Sequence, residues 1–364
     1  MAIDFTKDAW TRIRETYAAW WAGELDRPLI NVSVRGRDPG RPEPKLRERG
    51  FVPQHGLDVP VQAIVDRWDY DLSCKRYPGD SFPTVWLNFG AGVIAAFLGA
   101  RLEADDNTVW FHAPEHREIA DIHFAYDADN VWLRRTKEVT AAAVERWNGA
   151  VQVGMTDLGG NLDILSTFRP GQELLLDLYD HPDEVKRLTW EAHELWFRYF
   201  DEFNAILQPA NPGYTAWAAI FSPEPYYMLQ CDFCYMISPA MFDEFVKPEL
   251  AATCKRLVNP FYHLDGPGQL PHLDSLLEIP ELKGVQWIPG AGVPDMAHWP
   301  DVYRKVRDAG KLIQVFLEHP ATGLGLLDTL AEQLGSAEGI ILIGEVGPEH
   351  DAELHDLLKR YGAA

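Results

Sequence analysis

The feature that most constrains the fold is an alternation of strand-like and helix-like segments along the 364-residue chain. Apolar stretches of strand length recur, and most are separated by amphipathic stretches. The eight strand candidates cover residues 29–34, 84–89, 151–155, 214–220, 260–264, 284–288, 311–316 and 339–343. Strands that alternate with helices form parallel sheets, so eight such units predict an α/β fold of the (β/α)8 TIM barrel type. An open doubly wound sheet is the alternative, but the Gly-rich phosphate turn typical of that fold is missing after the first strand.

Helix signals support this organisation. Pro182 and Pro239 each stand at a first helical position, and Ser238 is a typical N-cap residue in front of Pro239. The predicted helices include residues 8–22, a long helix from 181 to about 206, one that opens at Ser238, 300–309 and 352–361. No repeat or flexible linker divides the chain. We therefore predict one domain over residues 1–364, with residues 1–27 as an N-terminal helical extension.

Composition restricts the partners. The chain has 55 acidic and 33 basic residues, a formal charge of −22, which disfavours binding to nucleic acids or to anionic membranes. The first residues lack the basic and apolar regions of a signal peptide, and four cysteines are too few for a disulfide framework. The sequence thus predicts a cytoplasmic protein with reduced thiols that acts on a small molecule. The chain has 13 Trp, and several lie on the first predicted helix, where an exposed apolar surface could form a dimer interface. Monomer and homodimer therefore both stay open.

The ends of the predicted strands supply candidate catalytic residues, because barrel active sites lie beyond the carboxyl ends of strands. His263 and Asp265 are two apart at the end of one strand, so both side chains face the same way. This spacing predicts an acid/base pair or a metal-binding pair. The alternative is a buried His with Asp265 capping the following Gly-Pro-Gly turn.

Further metal ligands are predicted from two other segments. Cys231 and Cys234 form a CxxC motif, but the next helix starts later, at Ser238, which argues against a thioredoxin-like redox site. With His263, these thiols would form a Cys2His zinc site with one open position. Glu318, at the end of another strand, is a further candidate ligand.

Other polar and aromatic residues near strand ends are candidates for substrate contact. Asp157 is a candidate acid/base residue, although it and its neighbours could equally be turn residues beside Gly159 and Gly160. Trp217 and Trp287 could form the floor of a pocket, although core packing is the simpler interpretation for both. The predicted substrate-binding residues are Asn161, Asp163, Trp217, Asp232, Gln286 and Trp287.

Several segments of residues 150–364 resemble the uroporphyrinogen decarboxylase superfamily, which includes the cobalamin-dependent methyltransferases. The segments are Asp157 to Asp163, Arg169-Pro-Gly-Gln-Glu-Leu-Leu-Leu-Asp177 with the following His-Pro-Asp-Glu-Val, Ile237 to Pro248, and Tyr262-His-Leu-Asp-Gly266. The resemblance implies a (β/α)8 barrel with a functional His at a strand end. It also implies a zinc ion as a cofactor and cobalamin carried by a partner corrinoid protein.

Two departures from this pattern bear on the reaction. The segment from Arg35 to Arg41 does not match the arginine-rich loop with which the decarboxylases bind a porphyrinogen, and a charge of −22 repels such a polyanion. The zinc methyltransferases have a His-x-Cys pair, where this chain has His263-x-Asp265, and no Cys follows Cys254.

The resulting expectation is a methyltransferase-like enzyme that moves a methyl group between a small substrate and a corrinoid protein or a thiol, with zinc assistance. A metal ion would lower the pKa of an acceptor thiol or polarise the methyl donor. Two alternatives stay open. One is a metal-free decarboxylase or lyase for a small acid, with His263 and Asp157 as acid and base. The other is a non-catalytic barrel that binds a small ligand.

Overall fold

The structure, a computed structural model, describes residues 3–317 and 323–364 of the chain. Eleven strands and thirteen α-helices lie in the described residues. The strands are β1 (Leu29–Arg35), β2 (Lys75–Arg76), β3 (Thr84–Trp86), β4 (Arg101–Ala104), β5 (Val109–His112), β6 (Gln152–Gly154), β7 (Tyr226–Gln230), β8 (Asn259–Asp265), β9 (Gly284–Ile288), β10 (Leu312–Phe316) and β11 (Ile340–Val346). The helices are α1 (Lys7–Trp21), α2 (Val61–Ser73), α3 (Ile94–Phe97), α4 (Val131–Trp147), α5 (Asn161–Phe168), α6 (Glu173–Asp180), α7 (Pro182–Leu207), α8 (Pro239–Phe245), α9 (Lys247–Arg256), α10 (Leu273–Leu277), α11 (Pro300–Asp308), α12 (Leu326–Leu334) and α13 (Asp351–Arg360).

A mostly parallel sheet of seven strands forms the centre of the fold. Its order is β2-β1-β11-β10-β9-β8-β7, and only the short β2 runs antiparallel to its neighbour. The first four residues of β11 are buried and apolar, as expected for a parallel strand covered on both faces. The strands β3 and β6 form a separate parallel pair, and β4 and β5 form a separate hairpin.

The predicted closed barrel is therefore wrong. Within the described residues, β1 pairs on its outer edge with β2, and β7 has only β8 as a neighbour, so the large sheet stays open. Residues 214–220, predicted as a strand, form none. Instead Tyr214 and Ser222 exchange backbone hydrogen bonds of 2.7 and 2.9 Å, which fold this segment onto itself. The strand that follows begins at Tyr226, beyond two prolines, and was not predicted.

The local predictions for the helices are confirmed. Ser238 caps α8 by accepting a hydrogen bond of 3.3 Å from the Met241 N–H, and Pro182 opens the long α7. The helices α1, α11 and α13 agree with the predicted segments to within one residue at each end. Helices are determined largely by caps and by the spacing of apolar residues within one segment, which explains why they could be predicted.

The Trp residues of α1 pack within the chain. The Trp20 ring stacks on Phe261 of β8 with ring centroids 6.3 Å apart, and Trp21 contacts Tyr226 at 5.7 Å. Trp10 packs on Phe82 and donates a hydrogen bond of 3.2 Å to the backbone oxygen of Ala150. These side chains attach α1 to the sheet, so they give no support to the dimer that an exposed Trp surface would have suggested.

Candidate functional site

Three ligand-type side chains converge where the adjacent strands β7 and β8 end. Asp232 comes two residues after Gln230, the last residue of β7, and Gln230 is paired with His263 of β8. Asp265 lies two residues beyond His263 and thus on the same face of the strand. One ligand atom from each of Asp232, His263 and Asp265 lies within 4.8 Å of the others, and we call these three residues the cation group. His263 Nε2 is 3.9 Å from Asp265 Oδ2.

Asp163 holds Asp232 in this position. Its Oδ2 accepts a hydrogen bond of 3.0 Å from the Asp232 N–H, and its Oδ1 accepts one of 2.8 Å from the Phe233 N–H. Asp163 lies in the first turn of α5, so these bonds connect α5 to the end of β7. Gly160 precedes α5, and a Cβ at this position would lie 2.2 Å from the Gln230 backbone oxygen. The close contact between the two segments therefore requires glycine at 160.

The acidic side chains of the site repel one another. Burial and the charge of Asp232 raise the pKa of Asp163 to about 7. The pKa of Asp232 is raised to about 6, because the surrounding protein desolvates the carboxylate and because Asp265 is near, although one side of Asp232 reaches the surface. Carboxylates that are reluctant to ionise together gain stability when a cation binds between them.

Hydrogen bonds along the sheet orient His263. The paired residues His263, Gln286 and Gln314 lie side by side on β8, β9 and β10. Gln286 donates from Nε2 to Gln314 Oε1, so its own Oε1 accepts from His263 Nδ1. This network assigns the ring proton to Nδ1 and leaves the Nε2 lone pair facing Asp265.

Burial keeps His263 neutral. The pKa of His263 is lowered mainly by burial, against the opposing effects of the Gln286 hydrogen bond and the Asp265 charge. Trp217 covers the ring edge-on, with the ring centroids 5.0 Å apart and the planes at 87°. A neutral imidazole with a fixed tautomer and a free Nε2 is the form that binds metal ions.

A cavity of about 410 Å³ adjoins the cation group. Asp232 and Asp163 line it, together with Gln230 and apolar side chains such as Phe233 and Met236. Asp232 thus belongs both to the cation group and to the wall of the cavity.

The structure does not bring the two thiols into the cation group. Cys231 and Cys234 are buried, with exposed fractions of 3% and 0%, and among the described residues no cysteine belongs to the group. A hydrogen bond between the two thiols, followed by burial, raises the pKa of Cys231, which disfavours the thiolate that zinc requires. The predicted Cys2His zinc set is not assembled, and Glu318 lies outside the described residues.

The remaining predicted residues are placed as follows. Asp157 is buried and accepts hydrogen bonds from the N–H groups of Gly159 at 2.9 Å and Gly92 at 3.4 Å, and its pKa is raised to about 7, mainly by burial. Asn161 begins α5 and is 6% exposed. Trp287 follows Gln286 in β9, so it points to the opposite face of the sheet, where it packs on Trp299 at 5.1 Å. The structure therefore separates Trp287 from the cation group.

Sequence reasoning missed Gln230 and Gln314 and did not predict Asp232 as a cation ligand. Gln314 stands within the apolar run Leu-Ile-Gln-Val-Phe of β10, and a lone amide in a buried strand is a signal of a hydrogen-bond partner on the next strand. Asp232 could be placed beside His263 only once β7 was known to be the neighbour of β8.

Comparisons with known proteins add no identification. A scan against protein-family models finds no match, and a search of curated proteins finds no significant relative. The superfamily resemblance of the sequence therefore remains a prediction. Among the described residues, no helix is long and apolar enough to span a membrane.

Proposed function

We propose that this protein is a metal-dependent enzyme that holds a divalent cation with Asp232, His263 and Asp265 and acts on a small molecule bound in the adjoining cavity. The observation that supports the proposal is the convergence of these three ligand atoms within 4.8 Å. Two residues of the group, His263 and Asp265, lie in β8, and the third, Asp232, follows the neighbouring strand β7 by two residues, so the parallel pairing of β7 and β8 holds the set together.

The donor atoms suit a cation such as Mn²⁺ or Zn²⁺. One neutral imidazole nitrogen and two carboxylate groups form a mixed nitrogen and oxygen set without thiolate. The two carboxylates balance the charge of a divalent ion, and three protein ligands leave positions open for substrate. When bound, such a cation supplies Lewis acidity to an oxygen or nitrogen atom of the substrate.

The chain's own residues would then bind and orient the substrate. Asp163 lines the cavity and would face the bound substrate. Its two backbone hydrogen bonds hold the segment that carries Asp232 in place. Gln286 and Gln314 keep His263 in the tautomer that presents Nε2.

Methyl transfer remains the reaction that the sequence resemblance implies, with a corrinoid protein or a thiol as the methyl partner. The buried thiols give this reaction no support as zinc ligands, so the cation group would have to provide the metal site. The metal-free decarboxylase or lyase with His263 and Asp157 differs from this proposal in one respect that can be measured, the requirement for a cation.

Metal binding to the purified, chelator-treated protein tests the proposal. We expect stoichiometric binding of Mn²⁺ or Zn²⁺ by isothermal titration calorimetry, weakened at least about 100-fold in His263→Gln and in Asp265→Asn. The matched control is His298→Gln, because His298 forms another His–Asp pair, 2.7 Å from exposed Asp295, outside the cation group. Absence of stoichiometric binding, or equal affinity in His263→Gln and His298→Gln, would refute the proposal.

A further inference from the structure

The cavity beside the cation group has a lining without positive charge. Among the described residues that line it are two carboxylates, Asp163 and Asp232, and no Lys, Arg or His. A ligand carboxylate or phosphate placed there would meet only negative charge from the lining. The formal charge of −22 adds a long-range repulsion of anions.

Gln230 presents an unused amide to this cavity. Gln230 is only 8% exposed and lines the cavity, and its side chain makes no hydrogen bond to another described residue. A ligand group in the cavity that pairs with this amide gains a hydrogen bond. The amide offers both a donor and an acceptor, which fits a ligand hydroxyl or amide.

The rest of the lining includes apolar side chains, which favour an apolar part of the ligand. Ile164, Phe233 and Met236 contribute apolar surface to the same cavity. Apolar side chains with a few placed polar groups are the usual composition of a site for a small organic molecule, and about 410 Å³ lies within the range of such sites.

We propose that the cavity binds an uncharged small molecule that has a hydroxyl or amide head group and an apolar body. The head group lies between Gln230 and the cation group, and the apolar body lies against Phe233 and Met236. The inference rests on the proposed function, because it takes the ligand of this cavity to be the substrate that the cation would act on. Without the cation, a simple carboxylate or phosphate ester in this cavity would meet only the negative charge of Asp163 and Asp232.

A pair of probes that differ in charge tests the proposal. Benzamide and benzoate have the same ring and nearly the same volume, but only benzoate is an anion. Binding of each to the Mn²⁺-loaded protein is measured by saturation-transfer NMR and by the relaxation that Mn²⁺ induces in the probe protons. The same saturation-transfer measurement in the metal-free protein evaluates the cavity separately from the cation.

In the metal-free protein we expect benzamide to bind at least about tenfold more tightly than benzoate, and in the loaded protein we expect Mn²⁺ to relax the benzamide protons. Gln230→Leu should weaken benzamide binding about tenfold or more, as should Gln230→Glu, which keeps the shape but adds a charge. Gln62→Leu, at an exposed position on α2, is the control and should change nothing.

Three results would overturn the inference: benzoate binding as tightly as benzamide in the metal-free protein, no detectable binding of benzamide, or unchanged binding in both Gln230 variants. Failure of the proposed function looks different. In that case Mn²⁺ does not bind and relaxes neither probe, while the saturation-transfer preference for benzamide in the metal-free protein remains.

Discussion

Replacement of Asp157 by Asn should make the protein more stable at alkaline pH and leave its stability nearly unchanged at acidic pH. Asp157 is 4% exposed, and its Oδ1 accepts two backbone N–H groups, from Gly159 and Gly92. An Asn side chain has the same shape and can accept the same two hydrogen bonds. The substitution therefore removes the ionisable group and keeps the contacts.

The size of the effect follows from the raised pKa. Burial raises the pKa of Asp157 from 3.8 to about 7. The pKa of Asp157 is higher in the folded protein than in the unfolded chain. The protonated carboxyl therefore contributes its full stability below about pH 4, and this contribution falls as the pH rises and is lost above about pH 7. A shift of about 3 units corresponds to about 4 kcal/mol, which is the stability that the wild-type protein should lose from this group by pH 8.

Urea unfolding followed by Trp fluorescence, at several pH values between 4 and 8 and in the presence of a chelator, measures this difference. We expect the unfolding midpoints of the wild type and Asp157→Asn to be close at pH 4 and to separate progressively between about pH 4 and pH 7, with the variant more stable. Asp4→Asn, at an exposed position, should follow the wild type throughout. A difference between the wild type and Asp157→Asn that does not change with pH would contradict the raised pKa on which the reasoning depends.

Three further predictions concern the residues that build the site and the core. Gln314→Leu should weaken metal binding about tenfold in calorimetry, because His263 loses the support of its oriented partner, and an unchanged affinity would count against the network. Gly160→Ala should lower the free energy of unfolding by at least about 2 kcal/mol in urea, since its Cβ would meet the Gln230 backbone oxygen at 2.2 Å; a wild-type midpoint would contradict this. Trp20→Ala should cost about 3–5 kcal/mol in the same assay, because Trp20 is 1% exposed against the sheet, and a loss below about 1 kcal/mol would show that α1 contributes little.

The predictions for single segments succeeded where the relevant interactions are local. The pair His263 and Asp265 lies on one strand, so the two-residue period of a strand was enough to place both side chains on one face. The capping of α8 by Ser238 is likewise decided within four residues. These features depend on neighbours along the chain, which the sequence displays directly.

The predictions that failed depended on pairings between distant segments. Residues 214–220 contain apolar residues at strand-like spacing. Tyr214 pairs with Ser222, and Thr215 accepts a backbone hydrogen bond of 2.9 Å from Met155 just after β6, but the segment forms no strand. The barrel prediction required pairing across that position, and the described residues form an open sheet instead. The Cys2His zinc set stays a prediction, and it too depends on distant segments, because Cys231 and Cys234 would have to face His263.

The sequence by itself determined the alternation of strands and helices, the acidic character of the chain and the pair of His263 and Asp265. The tertiary structure alone decided that the sheet is open, that Asp232 completes the cation group, and that Gln286 and Gln314 orient the imidazole. The reason is that strand pairing fixes which side chains of separate segments meet. Gln314 lies 51 positions beyond His263 in the chain, yet their strands are separated only by β9 in the sheet.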